Sequence, residues 1–82
     1  MYQIFVYGDI VDPTTGRVNR EACIHHSRAE SRSLSGAIEE GERQSYGLAE
    51  LYDHVVYSIW NDSTQTIAYQ GHPHRLIHEL HP

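Results

Sequence analysis

The sequence predicts a small α+β domain, a two-layer sandwich in which one helix lies on one face of an antiparallel sheet of three to four strands. Three observations predict it. Residues 2 to 7, Tyr-Gln-Ile-Phe-Val-Tyr, are rich in β-branched and aromatic side chains, the composition of a strand. Leu34, Ala37, Ile38 and Gly41 recur at i, i+3, i+4 and i+7, the period of a helix with a single narrow apolar stripe. Val55, Tyr57 and Ile59 alternate along a third segment, and the polar cluster Asn61-Asp62-Ser63-Thr64 that follows has the composition of a hairpin turn.

Taken in order, the first strand is apolar on both sides, which places it centrally in the sheet, and it is expected to stop at Gly8-Asp9. Asp12-Pro13-Thr14-Thr15-Gly16 is a turn, with proline presetting φ and glycine free to take positive φ. A second, more polar strand is expected from Arg17 to His25. Ser27-Arg28-Ala29-Glu30 has capping-box form and predicts a helix starting there, with Gly41 either within its stripe or at its C-terminal end, and Leu48, Leu51 and Tyr52 a further helical turn. His54 to Trp60 and Thr66 to Gln70 are the closing strands. Val55, Tyr57 and Ile59, opposed by Ile67 and Tyr69, are expected under the helix, while Val56, Trp60, Phe5 and Tyr7 form the second face. Residues 1–71 make a single domain and 72–82 a histidine-rich tail.

A chain of 82 residues buries only about 60–65% of the surface its unfolded form exposes, so a deep pocket and a full core compete for the same apolar residues. This favours a binding module over an enzyme. The one cysteine, Cys23, excludes an intrachain disulfide and suits a reducing compartment, and the apolar runs are shorter than the ~18 residues of a membrane span. A cytoplasmic protein is expected. No serine stands in a G-x-S-x-G elbow, no H-E-x-x-H occurs and no glycine-rich loop precedes a lysine, so neither a catalytic residue nor a cofactor is predicted.

Eleven carboxylates against six arginines, with no lysine at all, give a formal charge of −5. Such a field repels phosphate backbones and anionic lipid and attracts basic protein surfaces. The candidate contact residues are Glu39, Glu40, Glu42, Glu50 and Asp53, read as an acidic ridge from the end of the helix to the mouth of the third strand, together with Phe5 and Trp60 on the aromatic sheet face. Arg28 and Arg32 at the helix start and glutamates towards its end would run against the helix dipole. Two alternatives stand beside an acidic interface. A homodimer would use the aromatic face. A histidine-based metal site would use His74, His78 and His81, at i, i+4 and i+7 if that segment is helical, although no complete ligand set accompanies them.

In size, acidity and layout the chain resembles the small acidic phage and mobile-element proteins that block bacterial defence complexes, anti-CRISPR proteins among them. No motif carries the resemblance. It implies a non-enzymatic, stoichiometric inhibitor that covers a basic nucleic-acid-binding surface on a partner complex, with the five carboxylates above as contacts.

Overall fold

The computed structural model describes residues 1–73. Four strands and one helix follow in the order β1 (Tyr2–Val11), β2 (Val18–Arg28), α1 (Leu34–Leu48), β3 (Asp53–Asn61) and β4 (Thr66–Gly71). The strands form one antiparallel sheet in the order β2-β1-β3-β4, and α1 packs across β1 and β3 and reaches β4 only at its margin. The molecule measures 17 Å in its thinnest direction, the depth of one helix on one sheet.

Strand β1 is central, as its apolar composition requires, but it does not stop at Gly8-Asp9. The ladder shifts register there against both neighbours, and the strand continues to Val11. A bulge absorbs the glycine and the aspartate without ending the pairing. The β1–β2 turn is held by Asp12, whose carboxylate accepts from the Thr14 and Thr15 amides at 2.8 and 3.4 Å, with Gly16 at φ 73°.

The expected helix start at Ser27 is overturned. Ser27 and Arg28 belong to β2, opposite Ile4 and Gln3, and the Ser27 hydroxyl donates to Gln44 Oε1 at 3.1 Å instead of capping a helix. Continuing the ladder bonds the backbone groups of alternate residues of this edge strand to β1, and the Ala29 amide still reaches Tyr2 O at 3.0 Å, which competes with the two bonds a capping box supplies. The helix cap comes six residues later, at Ser33, which has extended backbone and accepts from the Gly36 amide at 3.1 Å. Gly41 lies inside this helix and is buried, and Leu48 belongs to the same helix. A Cβ at Gly41 would stand 2.7 Å from Tyr57 Cδ2, so the glycine is what allows the helix to approach the sheet closely. Arg28 is therefore not a helix residue, Arg32 precedes the cap, and Glu39, Glu40 and Glu42 lie in the middle of α1, away from its C-terminal end. The expected conflict with the helix dipole disappears, since that effect is confined to the terminal turns.

Ile4 and Val6 from β1, Val55, Tyr57 and Ile59 from β3, and Ala29, Ala37 and Ala49 form the core. Each fully buried large side chain contributes ~1.5–3 kcal/mol relative to exposure. Phe5, Tyr7, Val56 and Trp60 take the other face, and the register places Phe5 opposite Ser58 and Tyr7 opposite Val56. Ile67 departs from expectation. A register shift between Ile59 and Trp60 sets Ile67 opposite Trp60 and leaves it 53% exposed, while Tyr69 stays opposite Ile59.

Candidate protein-binding surfaces

The structure distributes the candidate contact residues over two sides of the slab. Glu39, Glu40 and Glu42 are on α1, whereas Phe5 and Trp60 are on the sheet face turned away from it. A single flat interface therefore does not hold both sets.

The carboxylates differ in what they already do. Glu39, Glu50 and Asp53 are exposed. Glu40 is half-buried, and its two oxygens accept from the Glu30 amide at 2.9 Å and the Ser31 amide at 2.8 Å, tying the loop before α1 to the helix. Glu42 accepts from the Tyr57 hydroxyl at 2.6 Å, beneath the helix. Burial first, and the Glu42 carboxylate second, push the Tyr57 hydroxyl above its ordinary pKa, so it remains a donor. Two members of the expected ridge, Glu40 and Glu42, thus have structural work, and the outward charge is carried by the other three.

A groove of about 640 Å³ runs between α1 and β4, lined by Ile38, Glu39, Glu42, Arg43, Tyr46 and Tyr69. It exists because α1 is centred over β1 and β3 and leaves the β4 margin uncovered. The Tyr57 and Tyr69 rings meet beside it with centroids 6.1 Å apart. Sequence reasoning missed Tyr46 and Tyr69 as site residues. The signal was present in Ile38, Glu42 and Tyr46, at i, i+4 and i+8 on one side of the helix, but the opposing wall on β4 depends on pairing.

On the other face, Phe5 is stacked against His26 at 4.3 Å with the rings 5° from parallel, and Tyr7 follows at 6.4 Å. Gln3 orders this row: its Nε2 donates to Asp62 at 2.6 Å, and its Oε1 lies 2.5 Å from His26 Nε2. Rings stacked on one another are not a bare platform, and Phe5 and Trp60 are both half-buried.

A second unanticipated feature is the Asp9–His54 pair. Asp9 is buried, with Oδ2 2.8 Å from His54 Nδ1 and Oδ1 accepting from the Glu21 amide at 3.1 Å. Glu21 and His54 both have left-handed backbone, φ 52° and 55°. The Glu21 amide first, and His54 second, hold the Asp9 carboxyl below the usual carboxylate range.

Among the described residues no three histidine, cysteine, aspartate or glutamate side chains are grouped to hold a metal ion, and no helix is long and apolar enough to cross a membrane. The candidate metal residues His74, His78 and His81 lie outside the described residues. Cys23 is an exposed free thiol. Compared with known proteins, the chain has no significant match to a family model, a curated protein or a solved structure.

Proposed function

We propose that this protein is a non-enzymatic binding module that covers a basic surface on a partner protein, using the outward side of α1 and the segment that follows it. The observation that supports the reading is the exposure of Glu39, Glu50 and Asp53 on a chain of formal charge −5, with Glu39 on the wall of an open groove. Complementary charge of this kind steers association and selects partners more than it adds raw affinity. In its most concrete form the partner is a nucleic-acid-handling complex and the module is a stoichiometric inhibitor occupying its basic groove, as the resemblance to anti-CRISPR-type proteins implies.

The test is capture from host lysate with the native chain and with a Glu39→Arg, Glu50→Arg variant. These positions are exposed, whereas reversal at Glu40 or Glu42 would break bonds that hold the fold. The expected result is retention of a nucleic-acid-binding complex by the native chain, displacement of its nucleic acid, loss of retention with added salt, and no retention by the variant. Retention unaffected by charge reversal and by salt would overturn the reading.

A second reading, self-association, is favoured by β4. This edge strand, Thr66–Gly71, carries no charged residue, and Ile67 and Tyr69 are 53% and 40% exposed. Edges of this type pair with other chains unless charge or proline blocks them. A mass that rises with concentration and reverts to monomer on Ala68→Pro would support pairing through β4. Reversion on Trp60→Ser alone would place the contact on the aromatic face.

A further inference from the structure

We infer that two copies of this chain pair antiparallel through β4 about a two-fold axis at Tyr69, forming one continuous sheet with both α1 helices on the same side of it. The inference rests on the self-association reading above and gives it a geometry. The two edges of the sheet are β2 and β4. Strand β2 carries Arg20, Glu21 and Arg28 and shifts register twice against β1, both of them features that keep an edge from pairing. Strand β4 shifts register once and has neither charge nor proline, and among the described strands it alone has no charged residue. The charge of the chain selects the occupant. At a formal −5 two copies repel one another over most of their surface, so they meet where charge is absent. A basic partner, conversely, is drawn to carboxylates, and an uncharged edge offers it none. The strand that suits β4 is one as uncharged as β4 itself.

The side on which the helices fall follows from the pairing. A two-fold between antiparallel edge strands stands perpendicular to the sheet and keeps the same face of both copies on one side, whereas parallel pairing turns one copy over. With the axis at Tyr69, each Tyr69 directly opposes its own counterpart as a cross-strand aromatic pair. Both rings lie on the helix side, because Tyr69 is opposite Ile59 and lines the groove beside α1. That groove is open because α1 lies over β1 and β3, and in the pair the two grooves join over a floor of the two tyrosines. At about 4.8 Å between strands the helix axes stand roughly 20 Å apart, too far to pack on one another. Glu39 on each helix is exposed, so the acidic surface proposed above is presented twice on one side and suits a partner with two basic sites.

The test uses the full chain with its one cysteine removed by Cys23→Ser and a new one placed on β4 by Ala68→Cys or by Gln70→Cys, both at exposed positions. The two variants carry different mass tags, are mixed and mildly oxidised, and the disulfide-linked dimers are weighed. Around an axis at Tyr69, position 68 of one copy opposes position 70 of the other, so the mixed dimer is expected to dominate. In the native chain a mass that rises with concentration should accompany this. Ile67→Lys sets a charge on the edge at a position already 53% exposed, and it should abolish the dimer while leaving the far-ultraviolet circular dichroism native. Links between like positions alone would overturn the antiparallel geometry and leave self-association standing. A monomer at every concentration would overturn both. A dimer that survives Ile67→Lys and is lost on Trp60→Ser would overturn the pairing and give the contact to the aromatic face.

Discussion

The Asp9 carboxylate spans the two neighbours of β1, taking the Glu21 amide on β2 and the His54 ring on β3. Both partners have left-handed backbone, which costs a non-glycine residue of order 1 kcal/mol or more and persists only where surrounding contacts hold it. Because Asp9 is a stronger acid in the folded chain than in the unfolded one, its contribution to stability is present above the unfolded value of about 4 and is lost as pH falls through the lower folded value. The thermal midpoint of the native chain should therefore fall as pH is lowered from 5 towards 2. Asp9→Asn should have a lower midpoint at pH 7 and a shallower fall, with Asp12, also held below the usual range by the Thr14 and Thr15 amides, supplying part of the remaining slope. Parallel pH profiles for the two proteins would show that the clamp is unimportant.

At the scale of the element, α1 is a helix whose position is set by a missing side chain. Two of its glycines have the same intrinsic helix cost and opposite surroundings. Gly41 is pressed against Tyr57 and Ile59, while nothing stands within 4 Å of a Cβ built on Gly47. Alanine at Gly47 should stabilise the protein by up to ~1 kcal/mol through helix propensity. Alanine at Gly41 gains the same propensity but must push the helix off the sheet, and overpacking of this kind costs ~1–3 kcal/mol, so the net effect should be destabilising. Urea unfolding of the two variants checks the sign of each. Stabilisation by Gly41→Ala would mean that the helix rides higher on the sheet than the close Tyr57 contact implies. The strand-to-helix connection follows the same logic of competing local choices: Ser27 stays in the ladder, and the serine that caps is Ser33, outside it.

The whole molecule is a slab with an acidic helix side and an aromatic sheet face, separated by the 17 Å thickness of the two layers. Sites on opposite sides, with no shared side chains, should respond independently to substitution. Trp60→Ser should leave capture of a basic partner unchanged, and Glu39→Arg should leave any concentration-dependent mass unchanged. Analytical ultracentrifugation and the capture experiment, run on both variants, check this together. Cross-effects in either direction would show that the two surfaces belong to one interface.

The alternation of Ile4 and Val6 with Phe5 and Tyr7, and of Val55, Tyr57 and Ile59 with Val56 and Trp60, was legible because side-chain direction in a strand repeats every two residues, whatever the strand pairs with. The stripe of Leu34, Ala37, Ile38 and Gly41 was legible for the same reason at the helical period. These local periods determined the fold class, the faces of the sheet and the placement of the core. The tertiary structure decided how far β2 runs, that Gly8-Asp9 is a bulge and not an end, and that Glu40 and Glu42 turn partly to structural work. It also decided that Asp9 meets His54 and that Tyr69 faces Tyr46 across a groove. Each of these depends on register and on contacts between residues far apart in sequence, where a shift of a single residue reverses which side chains meet, and no local pattern encodes that choice.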